Sequence, residues 1–168
     1  MDPSNEYPHI TYNITSDKFF EEIFPTLKYK YDIIFIDGLH ETEQVDKDVE
    51  NALKSLNPNG TIVMHDCNPI TREMQQVPRI QGEWTGDVWK SILKLRFNSF
   101  VNVCVVDTDY GCGIVRKNKQ AEHLSTYLPE SNVDVFSYDY LERKRKEILN
   151  LISIEKFKEK YGKDSSIH

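Results

Sequence analysis

Two short stretches of this chain hold the residues best suited to chemistry: Asp37-Gly38-Leu39-His40 and His65-Asp66. Each follows an apolar run, Ile33–Ile36 in the first case and Thr61–Met64 in the second. Asp37, His65 and Asp66 offer carboxylate oxygens and an imidazole, a donor set that suits Mg²⁺, Mn²⁺ or a similar divalent ion completed by water and substrate oxygens. Such an ion lowers the pKa of a substrate hydroxyl and orients its oxygen. His40, three residues after Asp37, has an imidazole of near-neutral pKa that can take the hydroxyl proton. Taken singly, each residue has a plainer reading. Asp37 could cap the following helix or contact a cofactor, His65-Asp66 could be a hydrogen-bonded pair that shapes a loop, and His40 could cap or pack. Position argues for one site, because ligands gather beyond the carboxyl ends of adjacent strands in an open parallel sheet.

The elements that must position these residues are legible around them. Tyr31–Ile36 shows no polar alternation after Asp32, the pattern of a strand buried on both faces in a parallel sheet. Val45, Val49, Ala52, Leu53 and Leu56 recur at helical spacing. Asn57-Pro58-Asn59-Gly60 reads as a turn and Thr61–Met64 as a second buried strand. Upstream, His9–Ile14 is expected to be a short strand, with Ser16 as the N-cap of a helix carrying Phe19, Phe20, Ile23 and Phe24 up to Pro25. Downstream, Asn68–Gly86 is rich in Pro, Gln and Gly and has no period, as expected of a binding loop or lid. Val88–Phe97 resumes helical spacing with Asp87 as N-cap and Trp89 in the core. Phe100–Val106 and Cys112–Arg116 read as strands joined across Asp109-Tyr110-Gly111. Tyr138–Ile152 and Ile154–Tyr161 read as helices, with Ser153 as N-cap and Gly162 as C′ residue, whereas Asn118–Val135 has no clear assignment. The order is β-α-β-α-β-α-β-β followed by helices, an α/β sandwich ending in an antiparallel hairpin.

Composition narrows the function. With 168 residues the chain suits one domain with a real core, and its net charge of −6 leaves no broad footprint for nucleic acid. Arg143–Lys146 lies in an acid-bearing helical stretch and reads as a solvated face. Cys67, Cys104 and Cys112 fit no disulfide or metal-ligand spacing and read as packed thiols. The first ten residues carry neither the basic nor the apolar segment of a signal peptide. No apolar run approaches the roughly 20 residues that span a bilayer, so a cytoplasmic location is expected.

The series YDIIFIDGLH, LNPNGTIVMHDCNP, GDVWK and VVDTDYGCGIV resembles the C-terminal two-thirds of a class I S-adenosylmethionine-dependent methyltransferase. It is most similar to the metal-assisted O-methyltransferase-like branch acting on sugars and other small hydroxylated substrates. The resemblance covers roughly residues 2–117 and is most specific over Tyr31–Pro69. It implies a Rossmann-like α/β sandwich whose last strand is antiparallel, with His9–Ile14, Tyr31–Ile36 and Thr61–Met64 as third, fourth and fifth strands. The hairpin strands would be sixth and seventh. The chain would form one partial methyltransferase-like domain over 1–168, with 136–162 as a C-terminal helical extension.

By the same resemblance S-adenosylmethionine is the cofactor, contacted by Asp2, Ser16, Asp17, Asp37 and Gly38. Asp37, His65 and Asp66 hold Mg²⁺ or Mn²⁺, with His65 standing where a carboxylate is more usual. His40 and Asp37 are catalytic, and Asn68, Trp84 and Asp87 line the substrate mouth. For Ser16-Asp17 the plainer and favoured reading is simple helix capping. The family's first strand and Gly-rich cofactor loop should precede a segment like Asp2-Pro3-Ser4, so the fold is expected to lack its first strand or strands, exposing a sheet edge. The expected activity is O-methylation of a hydroxylated small molecule or saccharide, by a chain that pairs with copies of itself. The alternative is a truncated, non-catalytic methyltransferase-fold module that binds partners. A metal-dependent hydrolase using the same strand-end ligands is a third reading.

Overall fold

The computed structural model describes residues 1, 9–118 and 134–162. Their strands form one mixed sheet in the order β1-β2-β4-β3-β5. Strands β1 (Tyr31–Ile36) and β2 (Leu56–Met64) pair in parallel and are linked by helix α2 (Thr42–Ser55). Helix α3 (Trp89–Arg96) leads to β3 (Val101–Val106), which turns back antiparallel into β4 (Cys112–Lys117). Strand β4 inserts between β3 and β2 and runs antiparallel to both. The strand that the resemblance makes seventh therefore lies between the fifth and the sixth.

Period 2 sorts the strand side chains between two faces. On one face Ile36, Ile62, Met64, Val103, Val105 and Val115 meet Val45, Val49 and Ala52 of α2 and Trp89, Ile92 and Leu93 of α3. Leu141, Ile148 and Leu149 of α4 (Tyr138–Leu149) complete this core. On the other face Cys104, Val106, Ile114 and Ile152 pack with Phe157 and Tyr161 of α5 (Ile154–Tyr161).

Several expectations are corrected. Residues 9–15 form a turn and isolated bends with no regular structure, rather than a strand. Helix α1 (Ser16–Lys18) is capped by Thr15, whose hydroxyl accepts from the Lys18 amide, so Ser16 is its first residue and not its cap. The helix continues as a π-turn (Phe19–Ile23) and a 3₁₀ turn (Phe24–Thr26) around Pro25, which has no amide to extend an α ladder. Strand β1 is not buried on both faces: Ile33 and Phe35 are 70% and 59% exposed. Among the described strands it lies at one edge of the sheet, and no helix among the described residues covers that face. Asn57–Gly60 belongs to β2 but bulges, because Tyr31 pairs with Leu56 and Ile33 already with Thr61.

The helix expected over Tyr138–Ile152 stops at Asn150, which is left-handed (φ 47°), and Leu151–Ile152 becomes strand β5, parallel to β3. Gly162 sits at φ −82° and so is no left-handed C′ residue. Asp2 lies outside the described residues.

Candidate functional site

Register builds the site. In the parallel pair Ile36 stands opposite Met64, and the His65 amide donates to the Ile36 carbonyl at 3.0 Å. Both strands thus end side by side, and Asp37 and His65-Asp66 leave the sheet together. The antiparallel pairing of Met64 with Gly113 and of Val106 with Cys112 brings the β3–β4 turn to the same end. There the amides of Cys67 and Asn68 donate to the carbonyls of Gly111 (2.9 Å) and Tyr110 (2.6 Å), continuing the ladder past the strand.

The structure brings four of the expected residues into one cluster. His40 Nε2 is 3.4 Å from Asp37 Oδ1, and His40 Nδ1 is 3.2 Å from Asp66 Oδ2. His65 Nδ1 approaches the same two carboxylate oxygens, at 3.3 Å and 3.4 Å. Donor atoms of Asp37, His40 and Asp66 lie within 4.8 Å of one another. Asp66 is buried and left-handed (φ 59°), a conformation that Asp tolerates better than most residues. Burial raises its carboxyl pKa, the positive fields of His40 and His65 oppose that shift, and neighbouring Asp37 reinforces it. Burial works against the charged form of His65, but its hydrogen bond to Asp109 and the charges of Asp66 and Asp37 outweigh it and raise its pKa.

Carboxylates held this close call for a positive partner. Convergent carboxylate and imidazole donors fit a divalent cation, with imidazole favouring Mn²⁺ or another transition metal over Mg²⁺.

The remaining expected residues divide. Trp84 stacks on His40 (5.3 Å between centroids, 23° between planes), and its indole N–H donates to the Gln76 carbonyl at 2.6 Å. The end of the 68–86 loop is docked on the His40 segment: the Asp87 amide donates to the His40 carbonyl at 3.1 Å. Gly86 (φ 57°) passes so close that a Cβ there would lie 1.7 Å from the His40 carbonyl oxygen.

Asp87 does not cap α3, whose N-cap is Val88. Its carboxylate instead accepts from the Thr42 amide at 2.7 Å, in the first turn of α2, and pairs with Lys90 at 3.0 Å. Asn68 lines a cavity of about 710 Å³ together with Asp107, Asp109, Tyr110, Glu142 and Arg145. Gly38 faces open space and the Asp37 side chain is 41% exposed, leaving room for a cofactor to approach. Ser16 and Asp17 already accept from Gln44 Nε2 of α2, at 3.5 Å and 2.9 Å.

Two residues of this region were missed in the sequence. Asp109 accepts from His65 Nε2 at 3.0 Å. Its signal was an acid in the tip of the hairpin, which points back at β2's end only once β4 is known to pair with β2. Arg145, read as part of a solvated face, donates to Asn68 Oδ1 (2.5 Å) and the Pro69 carbonyl (2.6 Å) and so fixes the chain just past the site.

Among known proteins, a family model described as a methyltransferase domain matches residues 4–67. The match spans β1, α2 and β2 and reaches through His65 and Asp66. No curated protein and no solved structure matched the chain. The match makes residues 4–67 similar to a methyltransferase domain, and the α/β sheet is consistent with the Rossmann-like methyltransferase fold.

Proposed function

We propose that this chain transfers a methyl group from S-adenosylmethionine to a hydroxyl of a small molecule or saccharide, with a divalent metal assisting. The observation that carries the reading is the convergence of Asp37, His40, His65 and Asp66 at two adjacent strand ends, inside the segment matched by the methyltransferase family. Asp37, His65 and Asp66 would hold the metal, which supplies charge to favour the deprotonated acceptor hydroxyl.

His40 is the base. Its Nδ1 faces Asp66 and the Trp84 carbonyl (3.4 Å) and its Nε2 lies 3.4 Å from Asp37 Oδ1, so in the tautomer protonated at Nδ1 the Nε2 atom would take the hydroxyl proton on the Asp37 side of the site. Bound S-adenosylmethionine would supply the methyl group to the acceptor oxygen, with the exposed Asp37 and the open backbone at Gly38 as its place of approach. The cavity beside Asn68, with its acids, tyrosine and arginine, suits a polyhydroxylated acceptor.

The test is transfer of labelled methyl from S-adenosylmethionine to a panel of hydroxylated acceptors in the presence of Mn²⁺. Label transfer should vanish on chelation, and His40→Ala should lower kcat by about 10²–10⁴-fold while leaving Mn²⁺ binding intact. Loss of Mn²⁺ binding in His40→Ala would make His40 a ligand instead, and no transfer by the folded chain would refute the reading.

One observation favours the second reading, a partner-binding module that pairs with copies of itself. Among the described strands β1 lies at a sheet edge, and its uncovered face shows Ile33 and Phe35. A dimer dissolved by Phe35→Asp, in a chain that binds no S-adenosylhomocysteine, would favour that module over the enzyme.

A further inference from the structure

The β3–β4 turn is fixed against the chain that leaves β2 by its backbone conformation, close packing and hydrogen bonds. Asp109, Tyr110 and Gly111 are consecutively left-handed, at φ 46°, 54° and 94°. A Cβ on Gly111 would lie 2.5 Å from Asn68 Cβ and 2.7 Å from the Asn68 amide nitrogen, so the turn is flush with the chain that follows Asp66. The Gly111 amide closes the turn on the Thr108 carbonyl at 2.7 Å, and Asn68 Nδ2 donates to Asp107 at 3.2 Å. The Asp109 carboxylate is thereby delivered to His65 Nε2 at 3.0 Å.

We propose that Asp109 is a positioning residue for the metal centre. By accepting from Nε2–H it leaves the other ring nitrogen, Nδ1, as the unprotonated donor turned between Asp37 and Asp66. The inference rests on the metal-assisted reading above.

An imidazole can present a lone pair at only one nitrogen, and the partner of the other nitrogen decides which. His65 Nδ1 already stands 3.3 Å and 3.4 Å from the two carboxylate oxygens that would share the cation. Rotation of the ring would exchange the two nitrogens and lose that alignment. Asp109 resists the exchange from the outside, and the Phe35 ring lies against the imidazole with centroids 6.2 Å apart. A carboxylate behind a ligating histidine also makes the ring a stronger donor.

The experiment is a Mn²⁺ titration of the whole chain, reading free Mn²⁺ by electron paramagnetic resonance, on the wild type, Asp109→Gly and Asp109→Asn. Glycine suits the left-handed backbone at this position and removes the carboxylate, so circular dichroism should show an intact fold. Asparagine also tolerates that backbone and keeps a neutral acceptor.

Asp109→Gly should bind Mn²⁺ about 10–100-fold more weakly and Asp109→Asn should fall between it and the wild type. Imidazole ¹⁵N spectra with Mg²⁺ bound should show His65 protonated at Nε2 in the wild type, with that hydrogen-bonded signal lost in Asp109→Gly. Wild-type Mn²⁺ affinity in Asp109→Gly, or weaker binding with the Nε2 signal unchanged, overturns this inference alone. A wild-type chain that binds no Mn²⁺ overturns it together with the metal-assisted reading.

Discussion

Replacing Asp87 with alanine should destabilise the fold through a helix to which Asp87 does not belong. The N-cap of α2, Glu41, has no side-chain cap bond among the described residues, and the Asp87 carboxylate takes over that function from across the site. Loss of a cap costs about 1 kcal/mol. Loss of a negative charge at the positive end of the helix dipole adds about 0.5–1 kcal/mol. The partly exposed Lys90 pair contributes about 0.5 kcal/mol at most. The total is about 2 kcal/mol, or about 4–8 °C in Tm for a chain of this length. Asp87→Asn keeps an acceptor and should lose about half of that.

The pH dependence has a definite sign. Burial alone would raise the Asp87 carboxyl pKa, but donation from Thr42 and the Lys90 charge hold it below the ordinary carboxylate value. Its stabilisation is therefore fully present above the unfolded pKa and is lost as pH falls through the lowered folded value. Thermal melts of wild type and Asp87→Asn should differ at pH 7 and converge on acidification below about pH 4. Equal melts at pH 7, or a gap that widens in acid, would refute the reasoning.

Gly86→Ala should cost more than about 2 kcal/mol, because a Cβ at φ 57° is strained and meets the His40 carbonyl at 1.7 Å; a denaturant midpoint unchanged from wild type would contradict this. Mn²⁺ at a hundredfold excess over its dissociation constant should stabilise the chain by about 2.7 kcal/mol, read as a rise in Tm that Asp37→Ala abolishes. Cys67 is fully buried and its thiol pKa is raised by desolvation, so thiol reagents should label it only in denaturant; rapid labelling of the native chain would show the β2 exit open to solvent.

The parts of the site that lie within one strand end or one helix period were legible in the sequence. Asp37 and His65-Asp66 follow the apolar runs that became β1 and β2, and the spacing of Val45, Val49 and Ala52 gave α2 its buried face. What depended on a neighbouring element was hidden. The run Ile33-Ile34-Phe35-Ile36 has the composition of a strand with two covered faces, but exposure is set by what packs above it, and nothing in the run encodes that. Asp87 looked like the start of its own helix because the amide it caps, at Thr42, is supplied by a distant turn. Asp109 is marked only as an acid in a hairpin tip and Arg145 not at all, and only the antiparallel register and the packing of α4 bring them to the site. At the N-terminal side Thr15 and Ser16 are both good caps, and the backbone rather than residue type chose Thr15.

The central claim is tested most directly by calorimetric titration of the purified chain with S-adenosylhomocysteine, with and without Mn²⁺. The methyl-transfer account predicts saturable micromolar binding of S-adenosylhomocysteine. A folded chain that shows no binding at millimolar ligand, with or without the metal, would contradict it.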